Sequence, residues 1–199
     1  RALAVDPADA ASEVHKGQAL LLAGKYVEGW NAYEARWRLA AKLTQRGDLT
    51  TPLWDGGPLD GRRLLVYAEQ GMGDTIQFAR FLSMAAGRGG PVIADVPAPL
   101  YRLFAEQGGD YDVSRQDQPP PPHELRLPMM SLARVLGIGL DALPGPTSYL
   151  TAGDDPQWSK RLAARPGPLV GLAWRALAEK RGSARRSVPL PDLAPLFAR

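Results

Sequence analysis

Asp74 is the residue in this 199-residue chain best placed to move a proton. It closes the segment Glu69-Gln70-Gly71-Met72-Gly73-Asp74, which separates an apolar run, Leu64 to Ala68, from a pattern that sets Ile76, Phe78, Ala79 and Leu82 inward. The run reads as a buried strand and the pattern as a helix of about Thr75 to Ala86. Gly71 and Gly73 allow the chain to turn sharply between them, and Asp74 falls where the helix N-cap is expected. The turn then lies at the carboxyl end of a strand, the edge of an open α/β sheet at which ligands bind. Asp74 has two readings, a cap that accepts the first free amides or a base that takes a hydroxyl proton. The two compete, because amide hydrogen bonds to a carboxylate weaken it as a base.

A second candidate is the basic run Arg175, Lys180, Arg181, Arg185 and Arg186, opposed only by Glu179. Guanidinium groups in such a loop can hold a diphosphate, whereas the bland alternative is a solvated loop. Function is favoured for Arg185, Arg186 and the following Ser187, and solvation for the rest. Metal chemistry has little to draw on: there are no cysteines and only two histidines, His15 and His123. His15 reads as exposed and His123 as the start of a strand. Asp110-Tyr111-Asp112 has the spacing of a metal motif but precedes a short strand, and it is rejected as a metal site. Ile76 occupies the third position of what would otherwise be Gly-x-Gly-x-x-Gly after Gly71 and Gly73, which argues against a dinucleotide cofactor. No Gly-x-Ser-x-Gly or Walker pattern is present.

These residues need a scaffold, and the composition, 45% hydrophobic and 23% charged, is that of a globular chain. A net charge of +3 spread among acids leaves no nucleic-acid footprint. No apolar run approaches the ~20 residues of a membrane span, and no signal peptide opens the chain, so a cytoplasmic protein is expected. Four regions follow. Residues 1–45 read as a helical hairpin broken at Gly24, with Tyr26, Trp30, Tyr33 and Trp37 forming one aromatic face that is assigned to the core. Residues 46–61 are a Pro/Gly-rich linker whose Trp54 reads as an anchor, with ring stacking on a ligand second.

In residues 62–165, strands at Leu64–Ala68, Pro91–Val96, Tyr111–Ser114 and His123–Leu127 alternate with helices at Pro99–Gln107 and Met129–Leu136. A further helix is expected at Pro156–Ala164. The alternation predicts a Rossmann-like, mainly parallel, doubly wound sheet. Pro119 to Pro122 is a stiff surface loop. Residues 166–199 open a second α/β domain with a buried strand at Leu169–Trp174 and a helix from Leu190 to Ala198. The chain opens on Arg1 rather than Met and stops within that unit, so a piece of a longer protein is expected.

Gly17, Leu20, Gly24-Lys25-Tyr26, Gly29 and Tyr33 fall where a tetratricopeptide repeat wants small or aromatic residues, with Glu13 and Lys16 off-pattern as in a terminal repeat. Trp54-Asp55-Gly56, the block Glu69 to Phe78, Leu127-Pro128-Met129-Met130-Ser131-Leu132 and Val170-Gly171-Leu172-Ala173-Trp174 through Arg186-Ser187 then follow in order. This order resembles the bacterial tetratricopeptide-repeat glycosyltransferases of the GT-B type, relatives of the lipopolysaccharide heptosyltransferases. The resemblance implies a nucleotide-sugar donor as substrate, no cofactor and no metal, with a sugar, glycan or protein as acceptor and a protein partner on the repeats. It implies Asp74 as base of an inverting transfer. Glu69, Gln70, Gly71, Met72 and Gly73 would bind substrate, and Arg185, Arg186 and Ser187 the donor. Glu69 and Gln70 are equally read as merely finishing the strand. The loop after Trp174 departs from the family, reading Arg175-Ala176-Leu177-Ala178 where relatives carry Gly-Asn. That departure supports the alternative, a non-catalytic scaffold.

Overall fold

The computed structural model describes residues 2–39, 46, 49–144, 148–165, 167–174 and 187–197. The chain divides into two units, residues 1–153 and 154–199.

In the first unit, helices α1 (Ala2–Val5), α2 (Ala10–Leu22), α3 (Tyr26–Tyr33) and α4 (Arg36–Leu39) precede the sheet. Asp9 caps α2 by accepting the Ala11 amide, and Gly24, at φ +76°, makes the turn to α3 in the left-handed region that glycine tolerates. The hairpin closes tightly: a Cβ on Gly17 would lie 2.8 Å from the Tyr33 backbone nitrogen, and one on Gly29 would meet the Leu21 side chain at the same distance. The aromatic face is interrupted at Glu34–Ala35, where α3 ends and the chain turns into α4. Tyr26 and Trp30 lie with ring centroids 6.3 Å apart, and Trp30 meets Phe78 of the sheet unit edge-on at 5.5 Å. Trp30 and Tyr33 thus pack on the main core, as the spacing predicted. Trp37, one turn further, borders a cavity instead.

Four parallel strands, β1 (Leu64–Tyr67), β2 (Val92–Val96), β3 (Asp112–Arg115) and β4 (Leu125–Pro128), lie in the order β3-β2-β1-β4. Between them come α5 (Met72–Phe78), α6 (Leu82–Ala86) and α7 (Tyr101–Ala105), and α8 (Leu132–Val135) follows β4. The expected parallel α/β architecture is therefore present. Strand alternation divides the core. Leu64, Val66, Val92, Ala94 and Val96 join Phe78, Leu82, Phe104 and Leu132 in the main cluster, while Leu65, Tyr67 and Ile93 face the other way onto Leu49. The β3–β4 connection runs through the proline loop without a helix and carries the chain from one side of β1 to the other.

The linker is part of this architecture. Trp54 donates its backbone N–H to the Arg126 carbonyl and Arg126 donates to the Pro52 carbonyl, so residues 52–54 run beside β4 as an added edge. The Trp54 ring is buried in the core and its Nε1 donates to the Gly57 carbonyl at 2.9 Å. It acts as the anchor, and burial removes it as a stacking platform.

In the second unit, α9 (Pro156–Ala163) is capped by Asp155, which accepts the Gln157 and Trp158 amides, and a 3₁₀ stretch spans Leu190–Leu196. The strand expected over Leu169–Trp174 is not formed, and its Leu169, Val170, Leu172 and Trp174 side chains are exposed. A strand needs a neighbour to complete its hydrogen bonds, and the described residues of this unit include none. The Trp174 carbonyl accepts instead from the Val188 amide at 2.9 Å.

Candidate functional site

All four strands run the same way, so their carboxyl ends share one edge. The order reverses about β1, which feeds β2 on one side and is joined later by β4 on the other. The residues after β1 and β4 therefore flank the position at which open α/β sheets bind ligands.

Gly71 rather than Asp74 is the N-cap of the helix that follows β1. Helix α5 starts at Met72, three residues earlier than expected, because Gly71 holds the extended backbone of a cap at φ −73°, ψ 165°. Asp74 sits on the first turn, half-buried, and Oδ2 accepts the Gly71 amide at 3.0 Å, the reciprocal half of a capping box. Oδ1 accepts no hydrogen bond among the described residues. Neither glycine has a positive φ, so the turn does not draw on the left-handed region. A Cβ on Gly73 would meet nothing within 4 Å, so packing does not demand glycine there. Met72 and Gly73 are exposed, and Gly71 is half-buried. Gln70 reaches back to the hairpin, its Nε2 3.4 Å from the Tyr33 hydroxyl.

Glu69 is buried, and it belongs to a polar network absent from the sequence reading. Arg36 of α4 donates to Glu69 Oε1 at 3.0 Å and to Ser131 Oγ at 2.8 Å, and the Met130 amide lies 3.3 Å from Glu69 Oε2. Ser131 in turn donates to Glu34 at 2.9 Å, and Glu34 pairs with Arg36 and with Arg134, the latter at 3.4 Å. The Arg36 guanidinium also lies 5.2 Å from the Tyr33 ring centroid and 4.8 Å from that of Trp37. Burial pushes the Glu69 carboxyl up to about 7, an effect that Arg36 and the Met130 amide only partly offset. Glu69 thus ties the ends of β1 and β4 to the hairpin. Hydropathy could not reveal this, since the partners lie 33 and 61 residues away in sequence. The one local signal was a run of buried-type residues, Leu64 to Ala68, leading straight into an acid.

Between α4 and the end of β4 lies a cavity of about 250 Å³, lined by Glu34, Trp37, Tyr67, Arg126, Ser131 and Arg134 among others. Burial raises the Tyr67 hydroxyl to about 12, against the pull of nearby Arg126. On the β2 side, Asp95 is fully buried, accepting from Ser114 Oγ at 2.7 Å and from Arg46. Gln116 closes that side with a hydrogen bond to the Ala68 carbonyl at 2.5 Å.

Arg185 and Arg186, with Arg175, Lys180 and Arg181, lie outside the described residues; Ser187, half-buried, belongs to the second unit. Among the described residues, no cluster of His, Asp or Glu suits a metal ion, and no helix is long and apolar enough to cross a membrane. His15 is exposed, and His123 sets Nδ1 2.7 Å from the Pro121 carbonyl.

No protein-family model matches the chain, and no solved structure matches it. Among curated proteins it is similar to Protein FlbA of Caulobacter vibrioides, 28% identical over 193 residues. The match takes in 85% of this chain and 32% of that protein, so the chain spans about a third of the length of its relative.

Proposed function

We propose that this chain is the acceptor-side portion of a nucleotide-sugar-dependent glycosyltransferase, with Asp74 as the base. The observation that carries this reading is where the Glu69 to Phe78 block runs: from the carboxyl end of β1 into α5, at the reversal of strand order. Asp74 there has one oxygen tied to Gly71 and the other without a hydrogen bond among the described residues, and Gly73 beside it leaves space unfilled. In the proposed reaction, Asp74 takes the proton of the acceptor hydroxyl as its oxygen attacks the anomeric carbon of the donor. The bond to the nucleoside diphosphate breaks on the opposite face, inverting the centre. Gln70, Gly71, Met72 and Gly73 would border the acceptor, a sugar, glycan or protein. Arg185, Arg186 and Ser187 would neutralise the departing diphosphate. The helices α1 to α4, within residues 1–45, would form a terminal tetratricopeptide repeat, open to a protein partner, and the setting would be the cytoplasm.

The test uses the complete product of the gene, assayed against a panel of nucleotide-sugars. Asp74→Asn keeps an oxygen for the Gly71 amide and should lower kcat by roughly 10²–10⁴-fold with an unchanged melting temperature. A variant as fast as the parent removes Asp74 as base, and absence of transfer from every donor removes the enzyme reading. The scaffold reading is favoured by one observation: Glu69 and Ser131, at the strand ends, hold the hairpin through Arg36. Under it, the complete protein transfers nothing yet retains a protein partner through the hairpin.

A further inference from the structure

The cavity between α4 and the end of β4 has the chemistry of a binding site, and nothing in the transferase reading uses it. Two guanidinium groups line it. Arg126 spends Nε on the Thr51 carbonyl at 2.7 Å, and Arg134 spends Nε on Glu34 at 3.4 Å. The terminal nitrogens of both have no partner among the described residues. Among the described residues the one carboxylate on the wall is Glu34, already taken up by Arg36, Arg134 and Ser131. Positive charge is therefore left over.

A second, independent observation lies on the floor. Tyr67 is only 3% exposed, borders the cavity, and its hydroxyl makes no hydrogen bond among the described residues. The hydroxyl is not among the buried polar atoms cut off from solvent, so it is the part of this buried side chain that reaches the cavity, where an occupant can pair with it. Trp37 adds an aromatic wall. At about 250 Å³ the space falls below the ~300–1,000 Å³ typical of drug-sized ligands, so the occupant is small.

We infer that this cavity binds a small hydroxylated anion of monosaccharide size, its carboxylate or phosphate held by Arg126 and Arg134 and a hydroxyl paired with Tyr67. Guanidinium forks accept either oxyanion, so both are named as one chemistry. The helical hairpin then contributes to ligand binding through the Trp37 ring and through Glu34, which positions Arg134, in addition to bracing the sheet. The inference does not rest on the transferase reading, because Asp74 lines no part of the cavity.

Titration calorimetry of the 199-residue chain with glucuronate, glucose 6-phosphate, glucose and inorganic phosphate tests it. At least one sugar anion should bind with Kd below about 1 mM, and glucose and inorganic phosphate should each bind at least about tenfold more weakly. Preference for glucuronate assigns a carboxylate ligand, and preference for glucose 6-phosphate a phosphate. Arg134→Gln, on an exposed helical position, should weaken binding about tenfold without lowering the melting temperature. Tyr67→Phe should weaken it severalfold while leaving the fold about as stable. Failure of both sugar anions to bind overturns the inference. So does inorganic phosphate binding as tightly as either, or binding indifferent to Arg134→Gln and Tyr67→Phe.

Discussion

Burial and pairing pull the Glu69 carboxylate in opposite directions, and burial prevails. Its proton is held up to about 7 in the fold against an ordinary 4.5, so between those values the folded state binds more protons than the unfolded one. Stability from this group must then fall as pH rises through that window, the reverse of an exposed paired carboxylate. Glu69→Gln mimics the protonated form and removes the dependence. Denaturation at pH 5 and pH 8 should show the parent losing about 1–3 kcal/mol relative to Glu69→Gln over that range. A constant difference between the two proteins would show that Glu69 stays ionised throughout. Arg36→Met tests the partner. At pH 8 it takes the guanidinium away from a buried carboxylate and should cost about 3–5 kcal/mol in urea denaturation. The cost should shrink at pH 5, where Glu69 can take a proton.

At the scale of elements, Trp54-Asp55-Gly56 is a structural device. Asp55 accepts the Gly57 amide at 2.9 Å to form the turn, and Trp54 fills the core. Gly56, at φ +98°, lies so close to α8 that a Cβ would come within 2.2 Å of the Val135 carbonyl oxygen. Both the backbone angle and the space require glycine. Gly56→Ala should therefore destabilise the first unit by more than about 2 kcal/mol, through strain and displacement of α8 together. A melting temperature within a degree or two of the parent would contradict this. Gly61→Ala is the informative control: Gly61 has φ +79° but nothing within 4 Å of its Cβ position, so it isolates the cost of the backbone angle.

For the molecule as a whole, every buried core residue among the described residues lies within residues 1–153, and residues 154–199 leave Trp158, Leu169, Val170, Trp174 and Phe197 substantially exposed. A chain ending at Gly153 should keep its cooperative melting transition within a few degrees of the parent, measured by circular dichroism. Each of the exposed apolar side chains gains roughly 1.5–3 kcal/mol on burial, so the 199-residue chain should self-associate with concentration and the shortened chain should not. Sedimentation velocity separates the outcomes: a strictly monomeric parent at high concentration removes the second unit as an association surface.

Local pattern was enough for the strands at β1 and β2, the hairpin broken at Gly24, the parallel alternation and the anchoring role of Trp54. Each depends on periodicity, or on a residue whose burial its neighbours already announce. Pattern placed Asp74 on the right turn but one role away, because whether Gly71 or Asp74 caps α5 depends on backbone angles that the letters leave open. It read Leu169–Trp174 as a buried strand because hydrophobicity records what a segment favours, while a strand exists only beside a partner. The apolar run into Glu69 hinted at a buried acid, but its pairing with Arg36 and Ser131 and the cavity beside them were beyond sequence. Residues 34 to 134 converge there only after β4 has crossed over to pair with β1 and α4 has settled on their ends, and that convergence belongs to topology alone.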